Sequence, residues 1–260
     1  MATNPYAAPT ARVDDARGAG VDDAEFIPEG QALSAGQGWQ WITAGWGLFR
    51  AQPAMWVGIA VVLLLFYVVI GLIPWIGQFA TTLITPVIGA GLLLGCRAID
   101  EGGELAFGNL FEGFKLPQMG RLIMIGAVSL LAAIIMVVAI IAVAGLGYGV
   151  SGMGGNGSMA GLGLTTLLAV LVALAISIPI YMALWFAPAL ITFHDYAPMD
   201  ALKTSFSACL KNVGAFFVYG LVLFILAVVA MIPFGLGLLV LLPVIIASIY
   251  AAYRDVFFVN

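Results

Sequence analysis

The side chains with the greatest potential for chemistry are His194 and Asp195, which are adjacent, and the two cysteines, Cys96 and Cys209. Imidazole and thiolate are zinc ligands, and a carboxylate can orient a histidine or supply a further ligand. The spacing of these residues is nothing like a clustered metal motif, however, so we predict no metal site. The favoured interpretation of His194, the single histidine of the chain, is an interfacial residue that makes local hydrogen bonds.

Enzyme signatures are missing from the sequence. It has no H-E-x-x-H, G-x-x-x-x-G-K-[ST] or G-x-S-x-G motif. We therefore predict no catalytic residue, no cofactor and no enzymatic activity. The alternative is an intramembrane enzyme that uses His194, Asp195 or Arg97 at the cytoplasmic interface. The candidate functional residues at that interface are Arg97, His194, Asp195 and Lys211.

The composition is that of a membrane protein. Hydrophobic residues make up 63% of the chain and charged residues only 8%, with a mean hydropathy of +1.13. A soluble domain carries about 25% charged residues. So few charges cannot build a water-facing surface, whereas they suit a lipid-facing one. The formal net charge of −4 gives no reason to expect nucleic acid as a partner.

Long neutral runs define the expected helices. No Asp, Glu, Lys or Arg occurs between Arg50 and Arg97, between Arg121 and Asp195, or between Lys211 and Arg254. A membrane-spanning helix needs about 20 apolar residues, so each run can cross the bilayer and return. Gly and Pro near the middle of each run predict turns. We therefore predict an all-α, polytopic membrane bundle of six transmembrane helices arranged as three hairpins, with spans near residues 54–73, 77–96, 122–148, 162–190, 214–232 and 235–253.

The basic residues predict the orientation. If each neutral run is a hairpin, all nine Lys and Arg residues fall on one side of the membrane. Short loops rich in Lys and Arg stay cytoplasmic, so both termini are expected in the cytoplasm. The acidic segment 1–36 is predicted to be a disordered tail, residues 37–255 the six-span domain, and residues 256–260 a short C-terminal end.

A short repeated pattern precedes each neutral run. Apolar residues three or four positions apart lead to a basic residue, which is typical of an amphipathic helix in the headgroup plane. Pro86, Pro179 and Pro243 begin similar stretches in the second half of each run. We expect one unit used three times, and the alternative is a shared membrane composition. The three patterns are Trp39, Ile42, Trp46 and Phe49 before Arg50; Phe107, Leu110, Phe111 and Phe114 before Lys115; and Met199, Leu202, Phe206 and Leu210 before Lys211.

Several short motifs resemble an uncharacterised family of six-span proteobacterial inner-membrane proteins. They are Gly38-Trp39-Gln40-Trp41, Gly47-Leu48-Phe49-Arg50, Trp185-Phe186-Ala187-Pro188 followed by His194, and Phe206-Ser207-Ala208-Cys209-Leu210-Lys211-Asn212. The resemblance covers roughly residues 37–255. It implies six spans and a bacterial inner (cytoplasmic) membrane location, and it implies no activity and no catalytic residue.

Two functions are compatible with these features. We expect a non-enzymatic protein that organises, anchors or assists other membrane components, with the lipid bilayer and other membrane proteins as partners. The alternative is a transporter, channel or lipid-handling protein for a neutral or lipid-like substrate. Ionisable groups within spans usually mark ion pathways, and the predicted spans contain none, which favours a neutral substrate over an ion.

Overall fold

A computed structural model describes residues 25–74, 76–153 and 159–259 of the protein. Within these residues the regular structure is helical, apart from an isolated antiparallel bridge between Phe26 and Phe258. A 3₁₀ turn, Gly113–Lys115, continues the fourth helix. The helices are α1 (Gln37–Ala51), α2 (Pro53–Gly71), α3 (Ile76–Asp100), α4 (Asn109–Glu112), α5 (Met119–Met153), α6 (Met159–Trp185), α7 (Ala187–His194), α8 (Pro198–Lys211), α9 (Val213–Met231) and α10 (Leu238–Phe257).

The predicted membrane spans are present. Six helical stretches in the described residues are long and apolar enough to cross a bilayer. Each overlaps one of the six predicted ranges, and most extend further toward the charged end of the bundle. α3 continues to Asp100 and α10 to Phe257. The protein is therefore an all-helical membrane protein, while the arrangement of the spans as three hairpins stays a prediction.

The fourth predicted span is broken at Phe186 into α6 and α7. Pro188 lies in the first turn of α7, and proline lacks the N–H that would continue the preceding helix. The backbone N–H of Phe186 donates instead to Ser205 Oγ at 2.9 Å. Pro179, in contrast, lies inside a continuous α6. The break therefore falls where a neighbouring helix supplies a hydrogen-bond partner.

The turn between α2 and α3 resembles the turn between α9 and α10. Gly77 lies directly against the carbonyl of Ile70, and Gly237 lies against Ala230, where a Cβ would come within 2.6 Å of the Ala230 Cα. Because only glycine permits so close an approach, each pair of helices crosses tightly beside its turn. The two turns thus share one construction, while a unit repeated three times stays a prediction.

We call α1–α3 the first unit, α4–α7 the second and α8–α10 the third. The short helix that begins each unit packs on a different unit. α1 packs on α9 and α10, α4 packs on α3, and α8 packs on α6. A small residue lies at each contact: Gly45 in α1, Gly113 just after α4, and Ser205 in α8. The first unit thus rests on the third, the second on the first and the third on the second, so the contacts close a ring.

The packing face of α1 differs from the predicted apolar stripe. Ile42 and Phe49 are buried, as an inward-facing stripe requires, but Trp39 and Trp46 are 53% and 44% exposed. Trp41, outside the predicted pattern, is 2% exposed. α1 therefore inserts one side between α9 and α10 and presents two tryptophans outward. A location of the short helices in the headgroup plane stays a prediction.

Residues 25–34, here called the strap, lie across the end of α10. The N–H of Ile27 donates to the Phe257 carbonyl and the N–H of Gln31 to the Val256 carbonyl, both at 2.8 Å. The sequence predicts a disordered tail that reaches residue 36, whereas this part of it has a defined path against the bundle. Residues 1–24 of the predicted tail lie outside the described residues.

Candidate functional site

His194 ends α7 and joins three elements. Its Nε2 lies 2.5 Å from the hydroxyl of Tyr253 in α10. Its ring stacks on Phe26 of the strap, with 3.6 Å between the ring centroids. One nitrogen and one face of the imidazole are therefore occupied, and His194 connects α7, α10 and the strap.

Arg97 lies close to the same end of the bundle. Its guanidinium is over the ring of Phe193, 5.9 Å from the centroid, and its Nε donates to Glu101 Oε1 at 2.6 Å. Beside it, Arg254 of α10 pairs with Asp100 of α3 at 2.7 Å. These ion pairs are partly exposed, and such pairs contribute at most about 1 kcal/mol each to stability. The Arg254–Asp100 pair joins the ends of α10 and α3, whereas the Arg97–Glu101 pair lies within the end of α3 and engages the Arg97 guanidinium.

Asp195 points away from His194. It occupies the left-handed region with φ 56°, and its carboxylate accepts a hydrogen bond from Arg121 Nη1 at 2.8 Å. The same nitrogen donates to the Asp195 carbonyl at 2.5 Å. The possible role of Asp195 as an orienting group for His194 therefore has no support in the geometry. The residue instead fastens the α7–α8 connection to the start of α5.

Lys211 and the adjacent Asn212 hold the strap. Lys211 Nζ donates to the carbonyls of Glu29 at 2.9 Å and Gly30 at 3.2 Å. Asn212, only 1% exposed, accepts from the Leu33 N–H at 2.7 Å and donates to the Gln31 carbonyl at 2.8 Å. Charge and amide together satisfy the backbone of the strap, which would otherwise lack partners away from water.

The two cysteines do not join this cluster. Both are buried, and burial raises the pKa of the Cys209 thiol to about 12, an effect only partly offset by a hydrogen bond with Ser205. Because the thiolate is the form that binds metals, burial disfavours metal binding at Cys209. The described residues contain no group of three or more His, Cys, Asp or Glu side chains placed to hold a metal ion.

Of the four predicted site residues, the structure brings Arg97 and His194 to one cluster and directs Asp195 to Arg121 and Lys211 to the strap. The sequence reasoning missed Phe26, Tyr253 and Asn212, which supply the partners. Of these three residues, Asn212 alone could have been found from the sequence, because it directly follows Lys211, the basic residue that ends one of the repeated patterns. Chemically, the arrangement is a set of satisfied contacts that locks the strap onto α7, α8 and α10.

A large apolar cavity, here called the lateral groove, lies between α1, α9 and α10. It has a volume of about 660 Å³, which is within the usual range of about 300–1,000 Å³ for ligand sites. Its polar side-chain groups are the indole N–H groups of Trp39 and Trp46 and the hydroxyl of Thr43, which already donates to the Gln40 carbonyl at 2.8 Å. The groove therefore offers an apolar surface with a satisfied hydroxyl. Its walls include Trp39, Trp46, Leu226, Ala230, Val240 and Val244.

Two further cavities adjoin each other beside α2 and α3. The first, the α2–α3 groove, has a volume of about 260 Å³ and is closed on one side by Leu242, Pro243 and Ile246 of α10. The second, the hydroxyl cup, has a volume of about 350 Å³ next to the α2–α3 turn. The two share Tyr67 and Thr85. An apolar cavity thus continues into a polar one within a part of the chain that carries no charged residue.

Comparison with known proteins agrees with the membrane architecture. No protein-family model matches the chain, and no solved structure matches it. A probable inner membrane protein of Burkholderia thailandensis is 32% identical over 239 residues, which cover 84% of this chain and 82% of the relative. The resemblance predicted from the sequence motifs is thereby confirmed, and this chain belongs to the same family of inner-membrane proteins.

Proposed function

We propose that this protein is a non-enzymatic inner-membrane protein that binds a neutral, lipid-like molecule within the bilayer. The observation that carries the proposal is the lateral groove, with its volume of about 660 Å³, its apolar walls and its satisfied Thr43 hydroxyl. Buried polar groups without partners would exclude an acyl chain, and Thr43 is not such a group. The neutral runs in the sequence further support an uncharged ligand over an ion.

The test is purification in native lipid followed by mass spectrometry of the bound molecules. We expect a neutral lipid at one molecule or more per protein, well above its share of the membrane extract. Val240→Trp places a large ring in the lateral groove and should release the lipid molecule that occupies this groove. Val138→Trp, a matched change at a 59% exposed position on α5, should leave it bound. Purified protein that carries only lipids in the proportions of the extract would refute the proposal.

The non-enzymatic part of the proposal is supported by the contacts of the candidate residues. His194 is engaged by Tyr253 and Phe26, and Asp195 is paired with Arg121. We expect His194→Ala and Asp195→Ala to complement a deletion phenotype when expressed at the wild-type level. Loss of complementation by either variant, at normal abundance and in the membrane, would favour an intramembrane enzyme.

A second candidate function is the organisation of other membrane proteins. It is favoured by exposed aromatic side chains on the short helices, among them Phe111 at 60% and Phe206 at 36%. A photoreactive residue at position 206 should capture one discrete protein partner, whereas position 234, which lies in the α9–α10 turn, serves as the control site. Capture of lipid alone at position 206 would count against this function.

We also propose that both termini lie in the cytoplasm. The proposal is supported by the ion pairs of Arg254 with Asp100, between the ends of α10 and α3, and of Arg121 with Asp195, between the start of α5 and the end of α7. Loops rich in Lys and Arg are retained on the cytoplasmic side.

A further inference from the structure

The hydroxyl cup and the α2–α3 groove form one amphipathic site. The cup contains Tyr67, Gln78, Thr81, Thr82 and Thr85, together with two glycines. The groove is lined by apolar side chains such as Trp56, Ile59, Leu63, Ile88, Leu92 and Ile246. Because Tyr67 and Thr85 belong to both cavities, a molecule with a polar end and an apolar chain can occupy them together.

The hydrogen bonds within the cup determine what it can bind. Thr81 and Thr82 both donate to the Gln78 carbonyl, at 3.0 and 2.8 Å, and Thr85 donates to the Thr81 carbonyl at 2.7 Å. Since the proton of Thr85 is used, Tyr67 donates across the 3.1 Å contact between their oxygens. The four hydroxyls therefore spend their protons inside the protein and present lone pairs, which favours a ligand that itself donates, while the Gln78 amide adds N–H donors and a further acceptor.

The lack of basic side chains in the cup disfavours an anionic headgroup. No Lys or Arg occurs between Arg50 and Arg97, a stretch that contains all residues of the cup. A phosphate is bound most strongly by cationic partners, whereas the side-chain donors left in the cup are the neutral N–H groups of Gln78. An uncharged headgroup that carries hydroxyl groups can donate to the lone pairs of the cup and accept from Gln78.

The site is somewhat longer than the hydrocarbon of one lipid leaflet. Gln78 in the cup and Leu92 in the groove are both on α3. At a rise of 1.5 Å per residue they are about 21 Å apart along the helix axis. One leaflet contributes about 15 Å of hydrocarbon, half of the roughly 30 Å core. The cup adjoins the α2–α3 turn, where we expect the headgroups, so the groove can hold an acyl chain down to the bilayer centre and slightly beyond it.

We propose that this site binds one lipid of the leaflet that contains the α2–α3 turn, with an uncharged, hydroxyl-bearing headgroup in the hydroxyl cup and an acyl chain in the α2–α3 groove. The inference rests on the proposed function, because it names the class of lipid-like molecule, but it uses a site separate from the lateral groove. Diacylglycerol is the simplest lipid with this chemistry.

The experiment uses the full-length protein in phosphatidylcholine nanodiscs that contain a trace of photoactivatable diacylglycerol. Cross-linked peptides are mapped by mass spectrometry. We expect saturable labelling of α2 and α3, which unlabelled diacylglycerol removes and phosphatidic acid does not. Tyr67→Phe and Thr85→Val should each reduce that labelling about three- to tenfold, as expected for one lost hydrogen bond to the ligand.

Matched controls lie on α6, outside the site. Tyr181→Phe, at a 62% exposed position, and Ser177→Ala, at a partly exposed one, each remove a hydroxyl from α6 and should leave the labelling of α2 and α3 unchanged. Saturable labelling confined to the lateral groove would overturn this inference and leave the proposed function standing. Equal competition by phosphatidic acid would overturn the uncharged headgroup. Unsaturable labelling throughout the chain would overturn both.

Discussion

Asn212→Ala should release the strap from the bundle while leaving the six spans in place. The side chain makes two hydrogen bonds to the strap, to the Leu33 N–H at 2.7 Å and to the Gln31 carbonyl at 2.8 Å. Each of these part-buried hydrogen bonds contributes about 1–1.5 kcal/mol net, so the strap should lose about 2–3 kcal/mol of local stability. At 1.4 kcal/mol per factor of ten, its opening constant should rise roughly 30- to 150-fold.

Hydrogen–deuterium exchange of the peptide that contains Leu33 measures this opening directly, because local opening limits the exchange of a protected amide. Lys211→Met, at the preceding position, is the matched control. Its ammonium is exposed, so loss of its bonds to Glu29 and Gly30 should accelerate exchange by no more than about fivefold. Equal exchange rates in wild type and Asn212→Ala would refute the assignment of the strap's stability to this amide.

Three further predictions concern packing, acidity and orientation. Gly45→Leu should lower the melting temperature strongly, because a Cβ at this position would lie 2.7 Å from the Ser248 backbone nitrogen. Gly47→Leu should not lower it, because a Cβ there would meet nothing within 4 Å. The two melting temperatures can be compared by fluorescence-detected size-exclusion chromatography after heating. The Cys209 thiol, with its pKa raised to about 12, should resist iodoacetamide in the folded protein up to pH 9. The contribution of the neutral thiol to the free energy of unfolding is fully present below pH 9, where an unfolded thiol titrates, and it decreases as the pH rises toward 12. Phe234→Cys places a thiol at a fully exposed position, which should react with an impermeant maleimide from outside the cell. Lys115→Cys should react only after permeabilisation. The opposite result would invert the proposed orientation.

The six spans could be predicted because lipid leaves little freedom in how a chain meets it. Long neutral runs must satisfy their own backbone as helices, and Gly and Pro mark where those helices turn. The position of the break in the fourth span could not be predicted in the same way. Pro179 and Pro188 look alike in the sequence, and the difference between them comes from Ser205, which meets the backbone at Phe186 from another helix.

The contacts of the candidate functional residues were likewise predicted only in part, because they depend on distant parts of the chain. Arg97, His194 and Lys211 stand out as charged or titratable groups near span ends, so their location was predictable. Their partners were not, because the strap has the acidic composition of a disordered segment and is ordered by residues far along the chain. Gln31 and Asp255, joined by a hydrogen bond, are 224 positions apart. The grooves likewise depend on which faces of α1, α3 and α10 meet, which periodicity alone does not specify.

Because α1 packs on α9 and α10, its packing can be completed only late in biosynthesis. A ribosome delivers α1 early and α10 late, so the glycine-lined side of α1 has no protein partner while the intervening helices enter the membrane. Contacts between distant parts of a chain form slowly for this reason. We therefore expect a nascent chain stalled before α10 to leave α1 and the strap sensitive to protease, and the release of α10 to protect both at once, as the last step of maturation.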